Sequence, residues 1–136
     1  MTPFRVSAMI VAALGASAAA TAPSIDAMRW HHRIVLVASP APNDAAMLQQ
    51  RRILADWRRE AADRDIALVE ITGSRVTGVS DSAATLRRRY RLPDDSVEVL
   101  LIGKDGHVGL RSPHPIAADR LRATIDTMPM RKAGER

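Results

Sequence analysis

The chain has 136 residues, enough for one compact domain, and its 20 Lys and Arg exceed its 15 Asp and Glu by five charges. It contains no cysteine, which removes disulfides, thiolate nucleophiles, CxxC redox chemistry and cysteine metal sites together. Aromatic residues make up only 3% of it, too few for an aromatic binding platform.

The N-terminus reads as an export signal. One positive charge at Arg5 is followed by a short apolar core, "AMIVAALG", and by small residues in A-x-A spacing, "ASAAATA". Cleavage is expected near Ala20. The apolar run is far shorter than the ~20 residues of a spanning helix, and no later segment of the mature chain is long or apolar enough to cross a bilayer. Residues 21–28 form a lead-in, 29–127 the domain and 128–136 a frayed tail.

Arg33 to Ala38 predicts a strand whose consecutive apolar residues, "IVLV", suit a position covered on both faces. "SPAPND" breaks it. Asn43 or Asp44 is a good N-cap, and the first helix is expected to run from there to about Arg64. Met47, Leu54 and Ala61, with Ile53 and Trp57 beside them, give that helix one apolar face. "DIALVEITG" is a second strand, and residues 76–80 are a loop. Ser80 or Asp81 caps a short helix to Tyr90, with Leu86 and Tyr90 as its apolar pair. "SVEVLLIG" is a third strand, "KDG" a hairpin turn, and His107 to Arg111 its antiparallel partner. A last helix runs from Ile116 to Thr127. Trp30, Trp57 and Tyr90 are all expected in the core or at its edge.

The order β-α-β-α-β-β-α predicts an α/β fold. A parallel pair joined by a right-handed crossover is extended by a hairpin, giving a thioredoxin-like, four-stranded mixed sheet flanked by helices. The stretches "RWHHRIVLV", "QQRRIL", "LRRRYRL", "EVLLIGKDGHVGLRS" and "IDTMPMR" resemble an uncharacterised bacterial domain of unknown function with a thioredoxin-like, peroxiredoxin-like fold. The resemblance extends to domains of the sushi-repeat proteins and Equarin. The resemblance implies a mostly secreted family of unknown activity, with an antioxidant role suggested by its fold. The turn where such a fold would carry its cysteine here reads "SPAPND", and a serine hydroxyl is far too weakly acidic to replace a thiolate.

Candidate chemistry is sparse. Adjacent His31 and His32 on a strand edge would point to opposite faces, one packed and one wet, so a shared metal is not expected. Ser39, Ser80, Ser82 and Ser96 lie in turns or caps without a nucleophile elbow. No catalytic residue, metal site or cofactor is assigned. Two surfaces stand out. The Ser39–Asp44 turn, with Ser39, Asn43 and Asp44, should lie beside the Leu92–Asp95 loop; in the thioredoxin fold the residue corresponding to Pro93 is often cis, and the isomer here is left open. Arg87, Arg88, Arg89 and Arg91, with Arg75 upstream, form the densest basic cluster, suited to an anionic partner or simply to a solvated helix face. The expectation is an exported, periplasmic or secreted binding module. Its partner would be a protein or an anionic envelope component, not nucleic acid. An oxidoreductase-like enzyme and a structural envelope protein are the alternatives.

Overall fold

A computed structural model describes residues 21–134; the expected export signal lies outside the described residues. Strand β1 (Arg33–Ser39) is buried along its whole length, as its unbroken apolar run requires. It leads into helices α1 (Ala45–Asp56) and α2 (Arg58–Asp63), then β2 (Ile66–Thr72). A short β3 (Arg75–Thr77) precedes α3 (Ala83–Tyr90). The hairpin β4 (Glu98–Ile102) and β5 (Val108–Ser112) is followed by α4 (Ala118–Asp126) and α5 (Pro129–Lys132).

The sheet has five strands in the order β3-β2-β1-β4-β5. β1 and β2 are parallel, with Arg33 opposite Ile66 and Ser39 opposite Thr72. β4 runs antiparallel to β1, with Ala38 opposite Glu98, and β5 is antiparallel to β4. This is the expected thioredoxin-like frame with one strand more than the sequence suggested. The addition is β3, which pairs antiparallel with β2 across the two-residue turn Gly73–Ser74. Gly73, at φ +57°, takes the first central position of that turn, where a side chain would strain the backbone.

Each face of the sheet carries its own core. Ile34, Leu36, Val69, Ile71, Leu100 and Ile102 meet Leu86 and Tyr90 of α3 on one side. Val35, Val37, Val99 and Leu101 meet Met47, Trp57, Leu121 and Ile125 on the other. Alternate residues of β1 thus serve opposite cores, which is the physical meaning of its continuous hydrophobicity.

Several boundaries differ from expectation. The first helix breaks at Trp57, whose indole is buried beneath Arg64 and Arg122, 5.3 and 5.7 Å from the ring centroid. Ser82, not Ser80 or Asp81, caps α3 by accepting from Thr85 N–H. Asp81 instead accepts from Ile25 N–H at 2.7 Å. That bond ties residues read as a lead-in onto the domain, where Ile25 and Met28 are buried in the α3-side core. The last helix begins two residues late because buried Gln50 holds Ile116 at both backbone groups, by bonds of 3.1 and 2.7 Å. The segment expected to fray forms α5, and its Arg131 bonds Asp63 at 2.6 Å. Among the described residues no helix is long and apolar enough to cross a membrane.

Candidate functional site

The pairing of Ser39 with Thr72 and of Ala38 with Glu98 brings three connections to one end of the sheet. They are the 39–44 turn, the β2–β3 turn and the segment entering β4. The strand register sets the 39–44 turn and the segment entering β4 at this same end.

The 39–44 turn is closed upon itself. The fully buried Ser39 hydroxyl donates to Ala41 O at 3.0 Å and accepts from Ala41 N–H at 3.4 Å, so it is used in the turn. Asn43 sits at φ +59°, a left-handed position that Asn tolerates better than most residues, and it is not the cap. Asp44 is: its carboxylate accepts from Ala46 N–H at 2.9 Å. The start of α1 therefore already holds a negative charge and repels an anion. Among the described residues the Ser39 hydroxyl bonds only Ala41, so it shapes the turn.

No cis peptide bond occurs among the described residues, so the Leu92–Pro93 bond, whose isomer the sequence left open, is trans. The loop is held in another way. Arg87 Nη1 donates to Pro93 O at 2.8 Å, its Nη2 donates to Gly73 O at 3.1 Å, and its Nε lies 3.6 Å from Asp94. One guanidinium with five fixed donors thus ties the end of α3 to both neighbouring connections. Arg87 acts as a clamp between these segments.

Arg89 is also engaged. It pairs with Asp26 at 2.9 Å and lies 5.4 Å from the Tyr90 ring centroid. The hydrogen bond and charge of Arg89 hold the Asp26 carboxyl below its ordinary range, while burial pushes the Tyr90 hydroxyl up. Arg91 closes α3 in the left-handed conformation at φ +52° with its side chain exposed. Arg75 and Arg88 are exposed too, and none of these three makes an ion pair among the described residues. The Arg87–Gly73 bond sets the helix end bearing Arg88 and Arg91 against the turn that leads into Arg75.

Comparison with known proteins fixes the family. The profile of "Domain of unknown function (DUF4174)" matches residues 24–134. The chain belongs to the DUF4174 family. No curated protein matches it. Two solved structures share its fold. One is described as a malarial protein, at 19% identity and TM-score 0.50, covering 70% of this chain and 94% of that one. The other is a thioredoxin-2 described as a component of malaria parasite protein secretion machinery, at 18% identity and TM-score 0.50, covering 71% and 84%.

The opposite end of the DUF4174 sheet holds a cavity of about 330 Å³ that the sequence reading missed. Trp30, Arg33, Lys104, His107, Met128 and Met130 are among its walls. Trp30, expected in the core or at its edge, is 58% exposed. Its backbone is left-handed at φ +70°, and its N–H donates to Lys104 O at 2.7 Å. Lys104 is buried and bonds Asp65 at 2.8 Å. Both His31 and His32 lie exposed in the turn before β1, not on a strand edge with one packed. Among the described residues no three His, Asp or Glu side chains gather as a metal site. The signal was present in the sequence. "RWHHR", "IGKDG" and "MPMR", three of the stretches that carried the family resemblance, meet at this cavity.

Proposed function

We propose that this DUF4174 domain is an exported, non-thiol binding module that docks an anionic component of the cell envelope through Arg75, Arg88 and Arg91. The observation that carries this reading is the division of labour among the arginines. Arg87 is spent on backbone carbonyls and Arg89 on Asp26, whereas Arg75, Arg88 and Arg91 are exposed without an ion pair among the described residues. The Arg87 clamp holds their two elements together, so the charges are offered as a group. Guanidinium groups suit planar anions, such as phosphate and carboxylate, better than ammonium groups do. The apolar N-terminal stretch supports export, because a surface of this kind then meets envelope anions before nucleic acid.

Capture from an envelope extract tests the reading. The wild-type chain should retain an anionic fraction that a variant carrying Arg75→Gln, Arg88→Gln and Arg91→Gln does not. Equal retention by both would overturn it. Cell fractionation of the full-length protein tests export separately: recovery in the cytoplasm alone would contradict that part.

A further inference from the structure

We propose that the cavity at the Trp30 end of the sheet binds a small aryl or indolyl carboxylate, with its ring against Trp30 and Met128 and its anionic group toward Arg33. This site is distinct from the arginine face of α3 and lies at the other end of the sheet.

Arg33 supplies the reason for an anion. It is the first residue of β1 and 1% exposed, so its guanidinium sits in the protein interior. Nη1 donates to Arg64 O at 2.8 Å, but buried Nε has no hydrogen-bond partner among the described residues. No carboxylate lies within ion-pair distance of it there. The nearby acids serve other cations: Asp65 bonds Lys104, Asp126 bonds Arg64, and Asp63 bonds Arg131. Burial and the positive charges of Arg131 and Arg64 push the Arg33 guanidinium below its ordinary range, against the opposing pull of Asp65 and Asp126 at longer range. A buried guanidinium with no carboxylate in direct contact is costly, and an anionic group placed against it offsets part of that cost.

The rest of the cavity supplies the reason for an aromatic body. Met128 and Met130 are polarisable walls that adapt to flat rings. Trp30 stands open to solvent at its rim, and its left-handed backbone is a strained conformation for a bulky residue. The floor is kept clear by glycines. A Cβ on Gly109 would come within 3.2 Å of Met128 Cε, and one on Gly103 within 2.9 Å of Asp105 Oδ1. Asp105 and His107, 3.2 Å apart on the rim, place one acidic group near the entrance, which disfavours a ligand with more than one negative charge. A volume of about 330 Å³ lies at the low end of the ~300–1,000 Å³ of ligand pockets, so one or two rings fit and a nucleotide does not.

The probe is indole-3-acetate, titrated into the full chain and followed by amide and indole NMR signals. Tryptamine has the same ring with the opposite charge, and acetate has the charge without the ring. Indole-3-acetate should shift the Trp30 indole and the 103–109 amides, and bind at least about tenfold more tightly than either control. Trp30→Ala, at an exposed position, should weaken the acid several-fold while the spectrum stays folded. Arg33→Met should bring acid and amine to equal affinity. If Arg33→Met does not fold, the acid-to-amine ratio on the unaltered chain and the Trp30→Ala titration still decide. Equal affinity for acid and amine on the unaltered chain, or shifts that map away from this cavity, would overturn the proposal.

Discussion

Arg87→Met removes a guanidinium while keeping most of the apolar stem. Arg87 is only 13% exposed at its side chain, and its bond to Pro93 O is half-buried. A hydrogen bond from a charged donor contributes about 1.5–3 kcal/mol where it is shielded. The bond to Gly73 O is exposed and adds less, and the Asp94 pair adds little because Asp94 is 90% exposed. The expected cost is about 2–3 kcal/mol. At a urea dependence of ~1–3 kcal/mol per molar, the unfolding midpoint should fall by about 0.7–3 M. The assay is urea unfolding monitored by far-ultraviolet circular dichroism, with Arg88→Gln as the control. Arg88→Gln should stay within about 0.5 kcal/mol of wild type, as most exposed substitutions do. An Arg87→Met midpoint indistinguishable from wild type, or an equal loss in Arg88→Gln, would refute the division of the helix arginines into clamp and docking groups.

Three further outcomes rest on the fold. Gln50→Leu should cost about 2–4 kcal/mol in the same unfolding assay, because both Ile116 backbone groups lose their buried partner. Gly78→Ala should destabilise by more than about 1 kcal/mol, since Gly78 is at φ +94° and a Cβ there would lie 2.5 Å from Leu68 O; a midpoint equal to wild type would contradict the packing of that turn. The hydrogen bond from Arg64, with the charges of Arg64 and Arg131, holds the Asp126 carboxyl below its ordinary range in the folded chain. Below the ordinary carboxylate value of about 3.9 the unfolded chain takes up this proton first, so the contribution of Asp126 is present above that pH and lost as pH falls toward the folded value. Asp126→Asn should therefore flatten the acid limb of the unfolding midpoint plotted against pH, and an unchanged limb would count against the pairing.

The sheet was legible wherever one face or both demanded apolar residues. "IVLV" could only be an inner strand, and the 3.6-residue spacing in the first helix fixed its side against the sheet. What escaped notice were interactions made by polar groups at long range in sequence. Gln50 looks like surface until Ile116 meets it 66 residues later. Arg87 looks like one of four equivalent arginines until Gly73 and Pro93 lie beside it. β3 escaped because three residues carry little periodic signal, although Gly73–Ser74 is a hairpin turn by chemistry. Trp30 differs in the opposite sense: a large aromatic residue was expected in the core or at its edge, and the left-handed backbone that holds it in solvent has no simple mark in composition. The cavity it borders is built from residues 30–33, the β4–β5 hairpin and residues 128–130, so its three marked stretches meet only in the fold.

The most direct measurement of the docking account is vesicle co-sedimentation across a salt series. The full chain is compared with its Arg75→Gln, Arg88→Gln, Arg91→Gln variant on mixed phosphatidylglycerol–phosphatidylcholine vesicles and on phosphatidylcholine alone, with soluble polyglutamate as a competitor that stands for an acidic protein face. Three exposed contacts of ~0.2–1 kcal/mol each predict roughly 3- to 150-fold weaker binding by the variant at low salt. The wild-type advantage should fade as ionic strength rises and the Debye length shrinks. Competition by polyglutamate would assign the same arginines to a protein-like polyanion. Binding that is equal in wild type and variant, or that is indifferent to salt, would contradict an arginine-led docking face.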